Sequence, residues 1–114
     1  MAELVRLGDF KRRRSLVHFT RQELNQLLQI YSGRVASGEW RDYAIHHDTL
    51  RARFVVFRNR LEGPAFTIIK WAPDREGKSA FLLAKGARPL KRADNLAEAL
   101  SLFARRLTLV SSGS

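Results

Sequence analysis

The feature that most constrains this chain is a series of short strand-like runs joined by connections too short for a crossover. After the segment SGEWRDYAI (37–45) come RARFVVFRNR (51–60), AFTIIKWA (65–72) and SAFLLAK (79–85), each rich in β-branched or aromatic residues, with HHDT, LEGP and APDREGK between them. Parallel neighbours need a crossover of about a dozen residues or more, so these connections specify an antiparallel meander. Side chains alternate between sheet faces. Phe54 and Val56 therefore oppose Val55 and Phe57, and Phe66 and Ile68 oppose Ile69 and Trp71. Both faces of the sheet are apolar at their centre. In the first strand Trp40, Asp42 and Ala44 are expected on one side and Arg41, Tyr43 and Ile45 on the other, with Trp40 anchoring the entry corner in the core.

A helix precedes these strands and another follows them. FTRQEL sets Thr20 as N-cap, Glu23 three residues later as the second half of a capping box, and Phe19 to staple onto Leu24. Leu24, Leu27, Leu28, Tyr31 and Val35 then recur at helical spacing, and Gly38 supplies a left-handed stop. ADNLAEALSLFARRL repeats the pattern with Asp94 or Asn95 as N-cap and Leu96, Ala99, Leu100, Phe103 and Leu107 on one stripe. The expected fold is α+β: a four-stranded antiparallel meander flanked by an N-terminal and a C-terminal helix, in the order α-β-β-β-β-α. One domain is expected over 19–108, after a basic flexible arm at 1–18 and before a polar tail at 109–114. If both helices cover one face of the sheet, its second apolar face must be covered by the arm, a second subunit or a ligand.

The chain's 114 residues can bury a single core without a disulfide or metal clip, and it contains no cysteine. No long apolar run occurs, and Glu3, Arg6 and Asp9 interrupt any signal-like stretch, so a cytoplasmic protein without membrane insertion is expected. The 21 Lys and Arg residues against 11 Asp and Glu give a formal net charge of +10. Such a surface attracts polyanions: nucleic acid, an anionic membrane surface or an acidic protein partner.

Catalytic chemistry has little support. His46, His47 and Asp48 are adjacent, and neighbouring strand residues point to opposite faces, so turn entry through Asp48 and Thr49 is expected rather than a metal site. Ser15 and His18 lack an orienting carboxylate, and Gly86-Ala87-Arg88 lacks the spacing of a phosphate loop. No enzyme activity, cofactor or metal is expected. The basic residues form the candidate site: Lys11, Arg12, Arg13 and Arg14 in the arm, Arg51, Arg53, Arg58 and Arg60 flanking the apolar centre of one strand, and Lys91 and Arg92 ahead of the second helix. In a favourable register Arg51 and Arg53 would share a face with Tyr43, where guanidinium groups beside an aromatic ring suit phosphate contact and base stacking. Arginines at strand ends also oppose edge aggregation without binding anything.

The expected function is that of a basic nucleic-acid-binding or regulatory accessory protein acting mainly through phosphate contacts, on RNA or DNA. The competing expectation is a protein-interaction adaptor or small homodimer using the apolar second face.

The stretches FTRQEL, YSGRVASGEWRDYAI, FVVFR and PLKRADNLAEALSLF resemble the DUF2794 family of small alphaproteobacterial proteins over residues 18–104. The resemblance is most specific at GEWRDYAI. It implies a bacterial cytoplasmic protein and no particular activity, and the KRRR run lies outside it.

Overall fold

The computed structural model describes residues 15–59 and 61–103. Helix α1 (Arg21–Ala36) begins with the complete capping box: Glu23 N–H donates to Thr20 Oγ1 at 3.1 Å, and Thr20 N–H donates to Glu23 Oε1 at 2.8 Å. It ends where Gly38 takes φ +80°, a left-handed conformation that costs a glycine little. Five strands follow: β1 (Asp42–His47), β2 (Arg51–Phe57), β3 (Phe66–Trp71), β4 (Phe81–Lys85) and β5 (Arg88–Ala93). They pair in sequence order, every neighbour antiparallel. A short helix α2 (Leu96–Ala99) comes next, capped by Asn95 Oδ1 accepting from Glu98 N–H at 2.8 Å. The chain is helical again at 101–103.

The antiparallel meander is present, but with five strands in place of four. The fifth, RPLKRA, carries three cationic side chains and a proline, a composition with weak strand propensity. It survives as an edge strand, where a missing N–H is tolerated, and Pro89 sits at the register shift beside Leu83 and Ala84. Gly86 at φ +59° and Ala87 make the two-residue turn joining it to β4, which explains the Gly86-Ala87-Arg88 triplet as hairpin chemistry. The C-terminal helix is shorter than its apolar stripe suggests, and Leu107 lies outside the described residues.

The core lies on one face of the sheet. Ala52, Phe54 and Val56 of β2, Phe66 and Ile68 of β3, and Phe81 and Leu83 of β4 pack with Leu27 of α1, Trp40, and Leu96, Ala99, Leu100 and Phe103 beyond β5. Both helices therefore cover this face. Trp40 is 3 % exposed and meets Phe103 edge-on with centroids 5.4 Å apart, so the corner residue is a core anchor. It precedes β1 and packs on the inner face, whereas Asp42 and Ala44 fall on the outer one, because the backbone enters the sheet only after Trp40. Of the segment set apart as an arm, residues 15–18 are described. Val17 there is buried, and its N–H donates to Asp48 O at 2.8 Å.

Helix α1 differs from its expected stripe at one position. Val35 is exposed, and the buried residue is Arg34. Its guanidinium pairs with Glu39, donates to Phe103 O at 3.3 Å and lies 5.3 Å from the Phe103 ring centroid. The Arg34 carbonyl in turn accepts from Glu39 N–H at 2.8 Å and from Ser37 Oγ at 3.0 Å. SGRVASGEW is thus one device, a helix terminus whose last buried side chain is an ion pair closed by the residues just beyond the stop.

Candidate binding face of the sheet

The turn after β1 sets which arginines share a face. Asp48 Oδ1 accepts from Leu50 N–H at 2.7 Å and from Arg51 N–H at 2.8 Å, closing the turn in the register Tyr43↔Val56, Ile45↔Phe54, His47↔Ala52. These backbone bonds, aided by the nearby Arg51 and Arg53 charges, hold the Asp48 carboxyl below its ordinary value. His46 and His47 point to opposite faces, as strand neighbours must. His47 meets His18 with ring centroids 4.3 Å apart, and although exposed overall it titrates below the usual imidazole value, through partial burial first and the two neighbouring imidazoles second. Among the described residues no group of three His, Cys, Asp or Glu side chains is placed to hold a metal.

Alternation from this register puts Arg51, Arg53, Val55 and Phe57 on the outer face, away from both helices. Directly across from them on β3 stand Trp71 opposite Arg51, Ile69 opposite Arg53 and Thr67 opposite Val55. The Arg51 guanidinium carbon lies 5.6 Å from the Trp71 ring centroid, within cation–π range. Leu82 continues the row beside Ile69, and Arg92 follows beside Leu82. One ladder row therefore reads His46, Arg53, Ile69, Leu82, Arg92, with Arg53 and Arg92 on either side of an apolar middle. With strands about 4.8 Å apart it spans about 19 Å. Among the described residues no helix covers this face; at its Trp71 end, Asp74 and Lys78 of the β3–β4 loop and Asp94 line a hollow beside the ring. Arg53 Nε and Trp71 Nε1 are also shielded donors with no acceptor among them.

The structure brings together only part of the basic constellation. Arg51, Arg53 and Arg92 share the open face. Lys91, ahead of the second helix as expected, belongs to β5 and lies opposite Leu83 on the inner side. Arg58 follows β2 and lines an open hollow of about 340 Å³ with Glu62, Lys85 and Gly86, at the far end of the sheet. Lys11, Arg12, Arg13, Arg14 and Arg60 lie outside the described residues. The aromatic partner is also different from the one expected: Tyr43 points inward, stacked on Phe54 at 5.1 Å, and Trp71 takes its place. A one-residue change of phase decides this, because it moves a side chain to the other face.

A second open groove, of about 550 Å³, runs between the starts of the two helices and contains Thr20, Gln26, Lys78 and Asn95. Its one strong feature is structural. Lys70 Nζ donates to Glu23 Oε1 and to His18 O, both at 2.8 Å, tying the capping box to the sheet.

Fold and site together define a helix-backed antiparallel sheet with an arginine-bearing face that no described helix covers. The chain belongs to the DUF2794 family, described as a protein of unknown function, whose model matches residues 17–100. No curated protein and no solved structure matches the chain. No helix among the described residues is long and apolar enough to cross a membrane.

Proposed function

We propose that this chain is a non-enzymatic, cytoplasmic accessory protein that binds nucleic acid on the open face of its sheet, mainly through phosphate contacts from Arg51, Arg53 and Arg92. The observation that carries this reading is the cross-strand pair of Arg51 over Trp71, beside Arg53, on a face that no described helix covers. Guanidinium groups suit phosphate because they are always charged and present a planar fork of donors. The formal net charge of +10 adds long-range attraction for a polyanion. Asp42 is the acidic side chain on the outer-face side of β1, and it stands at the sheet edge, opposite Phe57.

Fluorescence anisotropy of labelled RNA and DNA across a salt series tests the reading. Affinity should fall linearly in log–log coordinates, by about 0.7 per neutralised phosphate on a single strand and about 0.9 on a duplex. The variant Arg51→Glu/Arg53→Glu should lose affinity and flatten the slope by about 2. Binding that ignores both salt and this variant would exclude the face as a phosphate surface.

A further inference from the structure

We infer that the open face takes a single-stranded polynucleotide, its bases laid against Trp71, Ile69 and Leu82 and its phosphates held by Arg51, Arg53 and Arg92. This deepens the nucleic-acid reading and depends on it. Charge alone would suit any polyanion, so the distinction comes from what lies between the charges. The middle of the row, Ile69 and Leu82, is apolar and half-buried, with half-buried Trp71 and buried Val55 in the flanking rows, on a face that no described helix covers. A duplex offers phosphates and groove edges to such a surface and would leave those side chains against charged backbone. Its grooves are read by an element that enters them, and both helices lie on the opposite face. An unpaired strand instead offers the flat apolar faces of its bases, which stack on aromatic rings and guanidinium planes.

Two further details point the same way. The Arg51 guanidinium carbon already lies 5.6 Å from the Trp71 ring centroid, so a guanidinium and an aromatic ring occupy one spot on this face. Arg53 Nε and Trp71 Nε1 are shielded donors without acceptors among the described residues, and an unpaired buried donor is costly. A ligand rich in acceptors recovers that cost once these side chains turn toward it. Base edges and phosphates supply such acceptors; an apolar partner surface does not. A second copy of the chain would bring Arg51 and Arg53 into the same desolvated interface as its own positive groups.

The test is anisotropy titration of the full-length protein with a short mixed-sequence single strand, as RNA and as DNA, and with the duplex of the same sequence. Trp71→Ala and Trp71→Phe are carried through with circular dichroism to confirm folding. Single strands should bind more tightly than the duplex, and Trp71→Ala should weaken that binding about 5- to 100-fold while Trp71→Phe, which keeps a ring, retains most of it. The RNA and DNA arms show which sugar is preferred. Salt-sensitive binding that is equal for duplex and single strand, or indifferent to Trp71→Ala, overturns the inference and leaves the nucleic-acid reading standing. No binding to any of them overturns both. Concentration-dependent dimerisation abolished by Trp71→Ala would then assign the face to a second copy of the chain.

Discussion

Trp40→Ala is expected to cost about 3–5 kcal/mol, a large share of the about 5–15 kcal/mol that ordinarily separates folded from unfolded protein, and enough to unfold much of it at the low end of that range. The residue is 3 % exposed and touches three separate parts of the core: Tyr31 of α1 at 6.3 Å, Phe66 of β3 at 6.0 Å, and Phe103 at 5.4 Å between ring centroids. A cavity there cannot close by the shift of one side chain, because each wall belongs to a different element. Chemical denaturation followed by circular dichroism gives the value. A loss below about 1 kcal/mol would mean that the corner collapses to fill the hole and that Trp40 is not the joint between helix and sheet.

Glu39→Ala is the second large effect, and it should exceed that of Arg34→Met. Removing the carboxylate strands the Arg34 guanidinium, whose side chain is 7 % exposed, with only the Phe103 carbonyl and two aromatic rings as company. Breaking a buried pair in this way costs about 3–5 kcal/mol, and access of water to this rim site should bring it toward the lower end. Removing the arginine instead leaves Glu39, whose side chain is 47 % exposed and remains solvated. Methionine also fills much of the vacated space. The double variant should therefore recover a good part of the Glu39→Ala loss. Equal losses from the two single variants would show that the pair contributes through its mutual attraction alone.

Much of this architecture is written locally. Thr20 and Glu23 mark the start of α1 because a capping box is a contact between residues three apart, and connections of a few residues dictate antiparallel pairing. The two apolar faces follow from alternation at Phe54 to Phe57. Longer-range features were harder to read. RPLKRA lacks strand propensity and becomes a strand because β4 offers it an edge and Gly86 turns the chain back. Arg34 falls on the core stripe at helical spacing from Leu27 and Tyr31, a signal that its charge obscures until Glu39 is seen five residues on. Pairing Trp71 rather than Tyr43 with the strand arginines depends on the register of two hairpins, which Asp48 and the loop after β2 determine through backbone bonds. Asn59 Oδ1 accepts from Leu61 and Glu62 N–H groups in that second loop, at 2.9 and 2.8 Å.

The chain's two tryptophans allow binding at the sheet face to be measured directly. Trp40 is sealed in the core, and Trp71 lies on the open face with its indole N–H lacking an acceptor among the described residues. The two indole N–H resonances, assigned through Trp71→Phe, can be followed in a ¹H–¹⁵N correlation spectrum as a single-stranded oligonucleotide is added. The result expected is a progressive shift of the Trp71 resonance, reversed by added salt, while the Trp40 resonance stays in place. A saturable interaction that leaves the Trp71 resonance unmoved would contradict it and place the binding surface elsewhere on the chain.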